Sequence, residues 1–196
     1  MKIYFFDMNG LTEDDLRIGY DMLEPTKKAR VDRCQNENQK KNIIASDLLT
    51  RRMLSKALGI NPEEFVFAHS SHGKPILIDG KVNFNVSHSG NCWVGCVSEN
   101  PCGIDIELIR EIKLNATRRY CNNEEMEYIN AHSNPQLAAL EIWTRKEAYF
   151  KSIGCGIATV LTAVNVLTEE NLATNIYNDY IISVYGAEQN FKIESL

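Results

Sequence analysis

The stretch Gly103-Ile104-Asp105-Ile106-Glu107 admits few folds. Its alternation and β-branched content read as a strand. Successive strand side chains point to opposite faces, so Ile104 and Ile106 share one face while Asp105 and Glu107 share the other, roughly 6 to 7 Å apart. The apolar pair asks for a core. The acid pair asks for water, a cation or basic partners, because neighbouring carboxylates repel. Two readings stay open on this stretch alone: an edge strand with a solvated acidic face, or two legs of a site.

Short elements surround it. Met1 to Asp7 reads as a strand, and a helical pattern follows Asn9-Gly10 through Leu11, Leu16 and Leu23. Pro25 ends it, and Thr26 is placed to cap a short basic helix. A longer helix is expected from about Gln39 to Leu58, with Gly59 as its stop. Strands are then expected at Phe65 to His69, Ile76 to Ile78, Val82 to Val86 and Cys92 to Val97, separated by turns at His72-Gly73-Lys74-Pro75 and Asp79-Gly80. Asn100-Pro101 marks a boundary, dividing the chain into lobes 1–100 and 101–196. Further on, Asn122 and Glu125 have capping-box spacing. After Gly156, Val164 to Leu167 and Tyr180 to Tyr185 read as strands, and Asn190 to Leu196 as a tail free to fray.

The second long helix carries an anomaly. Asn134-Pro135 starts it and Gly154 with Gly156 stops it. At 100° per residue its apolar arc runs from Ile142 through Ile153, Ala139, Phe150 and Trp143 to Leu140, with Lys146 and Glu147 inside the arc and Lys151 at its margin. A Glu147 to Lys151 pair one turn apart is worth only a few tenths of a kcal/mol, too little to justify desolvating either group. A site explains them better. Leu49-Thr50-Arg51-Arg52 also echoes Trp143-Thr144-Arg145-Lys146, as two related halves would, with Met53 standing where Glu147 stands.

Charge narrows the function. The net charge of −5 argues against general nucleic-acid binding, yet Glu24 to Lys56 holds nine bases against four acids, the composition of a local anion site or of a face for an acidic partner. No apolar run approaches a membrane span, and a soluble cytoplasmic protein is expected. The six cysteines contain no CxxC pair, so reduced thiols are expected. His88, Cys92 and Cys96 recur every four residues, a helical spacing that does not make a zinc site on a strand.

Asp105, Glu107 and Glu147, with His88 and lysines at 74, 146 and 151, describe a site for Mg²⁺ and phosphates: magnesium takes hard oxygen ligands, and cations neutralise the remaining phosphate charge. No P-loop motif is present. Gly73-Lys74-Pro75, Phe84-Asn85-Val86-Ser87-His88-Ser89-Gly90, the Gly103 to Glu107 strand and Trp143-Thr144-Arg145-Lys146-Glu147-Ala148 with Lys151 and Gly154 occur in an order and spacing that resembles the 4′-phosphopantetheinyl transferases of the surfactin-synthetase-activating type. The resemblance implies an α+β fold of two similar α/β lobes related by a pseudo-two-fold axis, with the active site between them. It implies a monomer that transfers the phosphopantetheine arm of coenzyme A to a serine of an apo acyl or peptidyl carrier protein, releasing adenosine 3′,5′-bisphosphate.

By that resemblance Asp105, Glu107 and Glu147 hold Mg²⁺, for which Mn²⁺ could substitute, and Lys151 sits by the departing phosphate. Lys27, Arg30, Lys74, Pro75, Ser87, His88 and Lys146 line the nucleotide and phosphates. Glu125 is a candidate to deprotonate the serine or a metal-bound water. The family's arginine is replaced by Asn42, after Lys40 and Lys41, and Tyr120-Cys121 replaces a more aromatic pair. Cys155 reads as a turn residue. Two other readings compete: a silent relative that only binds coenzyme A or a carrier, and an Mg²⁺-dependent phosphohydrolase on another fold. The first leaves the intact acids unexplained, the second the Gly73 and Ser87 motifs.

Overall fold

The computed structural model describes residues 1–70, 73–154 and 161–196; His72, Cys155 and Gly156 lie outside the described residues. The opening apolar run forms β1 (Lys2–Asp7), which pairs antiparallel with β5 (Cys92–Ser98). β5 pairs in turn with β4 (Asn83–Ser89), and the short β9 (Glu194–Ser195) adds in parallel to the other edge of β1. The sheet order is β4-β5-β1-β9. Against it lies α3 (Glu37–Leu58), begun by Asn36, whose side chain accepts from the Gln39 N–H, and stopped at Gly59 in the left-handed region. Leu49, Met53 and Leu54 of α3 join Tyr4, Phe84 and Trp93 in the first core.

Two more helices complete this lobe, α1 (Glu13–Met22) and α2 (Pro25–Arg33), with a small sheet of β2 (Phe67–His69) and β3 (Pro75–Leu77). Thr26 does not cap α2. Pro25 already occupies its first turn, where a missing N–H costs nothing, so Thr26 lies inside the helix.

The second lobe is a sheet of order β6-β8-β7, built from β6 (Gly103–Leu108), β7 (Leu172–Tyr177) and β8 (Tyr180–Tyr185), with α5 (Pro135–Ile153) packed on it and α4 (Asn123–Ala131) packed against α5. A Cβ on Gly103 would lie 1.9 Å from the Ala148 carbonyl oxygen, so β6 meets the backbone of α5 directly. Ile104 and Ile106 are buried with Ile3, Val94 and Val184 in a core shared by the two sheets. Among the described residues no helix is long and apolar enough to cross a membrane.

Three expectations fail here. Val164 to Leu167 forms no strand, because side chains take its backbone: the Val166 N–H goes to Glu125 and its carbonyl to Arg145. Ile153, placed in the apolar arc, is 53% exposed at the end of α5. The tail is not free, since β9 pairs with β1 and Leu196 N–H donates to the Phe5 carbonyl; the last residues thus return to the first lobe's sheet.

The echo between halves has a structural counterpart. Arg51 reaches back one turn to Asp47 at 2.8 Å and on to the Phe65 carbonyl at 2.8 Å. Arg145 reaches back one turn to Glu141 at 3.7 Å and on to the Val166 carbonyl at 2.8 Å. Each arginine ties its long helix to the segment that follows.

Candidate active site between the lobes

β6 sets the site by presenting Asp105 and Glu107 on one face, toward β4. Asp105 is 5% exposed, and its Oδ1 accepts from Ser87 Oγ at 2.7 Å and from Lys151 Nζ at 2.5 Å. Lys151 Nζ also donates to Ser87 Oγ at 2.9 Å and to the Ile104 carbonyl at 3.3 Å. Glu107 accepts from Ser89 Oγ at 3.0 Å. From α5, Glu147 comes in beside them, 8% exposed. Burial, then the neighbouring Asp105 and Glu107 charges, push the Glu147 pKa up to about 7, against the pull of Lys151.

Two oxygens of this group are orphans. Asp105 Oδ2 and Glu147 Oε1 are buried without a hydrogen-bond partner. A buried carboxylate oxygen with no donor is costly, which fits a cation that belongs there. Among the described residues no three His, Cys, Asp or Glu side chains form a ready-made metal cage.

A cavity of about 230 Å³, lined by Lys27, Arg30, Asp47, Phe67, Pro75 and Val86, lies on the first-lobe side of β4. Lys27 Nζ donates to Asp47 Oδ1 at 2.5 Å, and Arg51 holds the other oxygen of Asp47, so the lysine is held over the cavity. His88 lies on the same face of β4 as Val86. Its pKa is pushed down, first by burial and then by the Lys151 cation, with Asp105 opposing. Larger cavities exist, one of about 530 Å³ beside Lys74 and Ile153 and one of about 470 Å³ beside Leu11 and Lys41, and the three acids line none of these cavities. The chemistry, more than the volume, marks the site.

Several expected residues are engaged elsewhere. Glu125 and Lys146 are both fully buried and paired at 2.8 Å. Lys146 Nζ also serves the Leu161 and Val164 carbonyls, while Glu125 caps α4 through the Asn122 N–H and accepts the Val166 N–H. Every charge-bearing atom of the pair is spent on its own lobe, so neither a proton-accepting Glu125 nor a phosphate-binding Lys146 is present. Lys74 Nζ donates to the carbonyls of Lys151 at 2.7 Å, Cys102 at 3.2 Å and Ser152 at 3.4 Å, which makes it a clamp across the lobes; burial lowers its pKa. Lys40 is paired with Glu37 and Lys41 lies 3.9 Å from Glu13, and neither lines the cavity beside Lys27. Periodicity does not single out Asp47, and Ser89 stands in the Phe84 to Gly90 motif without a role of its own, yet Asp47 holds Lys27 and Ser89 holds Glu107.

Comparison with known proteins identifies the family. Residues 11–100 match the family model described as 4′-phosphopantetheinyl transferase, N-terminal, and residues 101–192 match the 4′-phosphopantetheinyl transferase superfamily. A putative 4′-phosphopantetheinyl transferase of Synechocystis sp. is 30% identical over 85% of this chain and 70% of its own length. The 4′-phosphopantetheinyl transferase ffp of Bacillus subtilis is 26% identical over 98% of this chain and 90% of its own length. The 4′-phosphopantetheinyl transferase gsp of Aneurinibacillus migulanus is 37% identical over 58% of this chain, and the match spans 48% of that protein, about half. With both lobes matched in order, and a relative at that identity aligned over most of its length, the chain belongs to the 4′-phosphopantetheinyl transferase superfamily.

Proposed function

We propose that this protein transfers the 4′-phosphopantetheine arm of coenzyme A to a serine of an apo acyl or peptidyl carrier protein, releasing adenosine 3′,5′-bisphosphate. Membership of the family supports the reaction. The observation that carries the site is the pair of orphaned oxygens, Asp105 Oδ2 and Glu147 Oε1. Asp105, Glu107 and Glu147 would hold Mg²⁺ or Mn²⁺, both of which accept oxygen ligands. When bound, such an ion neutralises pyrophosphate charge and polarises the phosphorus under attack.

The residues do the rest by position and charge. Transfer forms a bond from the serine oxygen to the β-phosphorus and breaks the bond to the bridging oxygen, with charge leaving on the α-phosphate. Lys151, already drawn to Asp105 and Ser87, is the cation in the cleft able to meet that charge. The Lys27 and Arg30 cavity, with Pro75 on its wall and His88 beside it, takes the nucleotide end. With Glu125 closed off by Lys146, the serine proton goes to a carboxylate of the cleft. The division at residues 100 and 101, a monomeric state and a cytoplasmic location complete the proposal.

The test is to incubate the protein with coenzyme A, Mg²⁺ and a panel of apo carriers and to measure their intact masses. One phosphopantetheine added to one serine, and none after chelation, is expected. Coenzyme A binding without addition to any carrier would overturn the transfer.

A further inference from the structure

β4 and β6 belong to different sheets, yet their side chains run in step. Asn85 Oδ1 accepts from the Ile104 N–H at 2.9 Å, Ser87 Oγ donates to Asp105 at 2.7 Å, and Ser89 Oγ donates to Glu107 at 3.0 Å. Both strands repeat every two residues, so a rail of polar groups from the first lobe meets the acids of the second. Ser89, like Ser87 with Lys151 and Asp105, is pinned from both sides. Its oxygen accepts from the Leu108 N–H at 3.1 Å, and with that lone pair taken its hydrogen is left for Glu107. Glu107 is only partly buried at the end of an edge strand, and no other side-chain hydrogen bond to it is found among the described residues.

We propose that Ser89 is a positioning residue: its hydroxyl aims Glu107 at the cation, so that the second lobe's acid is oriented by the first lobe. This rests on the reading of Glu107 as a ligand. A hydrogen-bonding partner behind a metal ligand is worth 10- to 100-fold in metal affinity. For one neutral hydroxyl at a part-exposed acid, the lower end is the expectation.

The test uses the full chain saturated with coenzyme A, titrated with Mn²⁺, with free Mn²⁺ read by electron paramagnetic resonance. Ser89→Ala is expected to weaken Mn²⁺ binding about tenfold, while coenzyme A binding in chelator is unchanged. Ser89→Thr, which keeps the hydroxyl, restores the affinity. Glu107→Gln weakens it too, and adding Ser89→Ala to Glu107→Gln costs nothing more. Wild-type affinity in Ser89→Ala, or additive losses in the double variant, would overturn the role of Ser89 while leaving the metal reading intact. Failure of the unmutated protein to take up Mn²⁺ with coenzyme A bound would overturn both. Should Ser89→Ala unfold, Ser89→Cys keeps the volume with a weak donor and is expected to show the same loss in smaller measure.

Discussion

Replacing Glu147 with glutamine is expected to make the metal-free protein more stable while destroying its activity. The Glu147 carboxyl, 8% exposed beside Asp105, has its pKa raised from the usual 4.5 to about 7. An acid whose folded pKa lies above its unfolded value binds more protons folded than unfolded, so stability falls as pH rises between the two values and levels off above the higher one. At 1.36 kcal/mol per unit, the full shift corresponds to roughly 3 kcal/mol above pH 7 and almost nothing below pH 4. Access of water through the cleft lowers this to about 2 kcal/mol, which for a chain of this length is roughly 4 to 8 °C in melting temperature. Glutamine keeps the shape and never ionises. Thermal unfolding in chelator should therefore show near-equal melting temperatures at pH 4.5 and a gap favouring Glu147→Gln that opens by pH 7 and stays constant to pH 9. Added Mg²⁺ and coenzyme A should narrow it, because only the wild type gains from the ion. A gap independent of pH, or a less stable glutamine variant at pH 8, would refute the view that Glu147 is an uncompensated charge.

Other perturbations test the contacts around the site. Glu125→Gln or Lys146→Met alone should cost about 3 to 5 kcal/mol in urea unfolding, since each strands a buried charge, and the two together should recover much of the loss; a single-variant cost under about 1 kcal/mol would mean the pair is not closed. Lys74→Met removes two carbonyl contacts at the end of α5 and a third at Cys102, and should cost about 1.5 to 3 kcal/mol. Its coenzyme A affinity, measured by calorimetry, should stay within twofold of wild type, whereas a tenfold loss would return Lys74 to the nucleotide. The Arg52 guanidinium and the Thr12 cap hold the Asp15 carboxyl down at about 2, so its stabilisation is present above pH 4 and lost as pH falls through 2. Asp15→Asn should accordingly lower the melting temperature at pH 7 and make no difference near pH 2.

The acids of the cleft were legible because strand alternation alone places Asp105 with Glu107, and because charges inside the apolar arc of α5 ask for a reason. That same logic misjudged Lys146. Its neighbour Glu147 faces the cleft, but a turn of 100° aims Lys146 into its own lobe, where Glu125 waits from a helix cap that sequence had already explained. Periodicity reports which face a residue shares and is silent on its partner from a distant segment. Lys74 shows the same limit: Gly73-Lys74-Pro75 reads as a turn, and nothing local says that its ammonium ends on carbonyls of α5. The segment around Val166 looked like a strand by composition and is held by two side chains instead. β9 is too short to carry a pattern at all.

The return of β9 to β1 bears on how the lobes are held together. The backbone passes between the lobes at two places, through the β5 to β6 connection and through the final strand. A body hung from one point can swing away in any direction. One hung from two can only rock about the line between them. The core shared by the two sheets and the Lys74 clamp add to those two ties, so the face that Asp105 and Glu107 turn toward β4 is held by the first lobe as much as by the second.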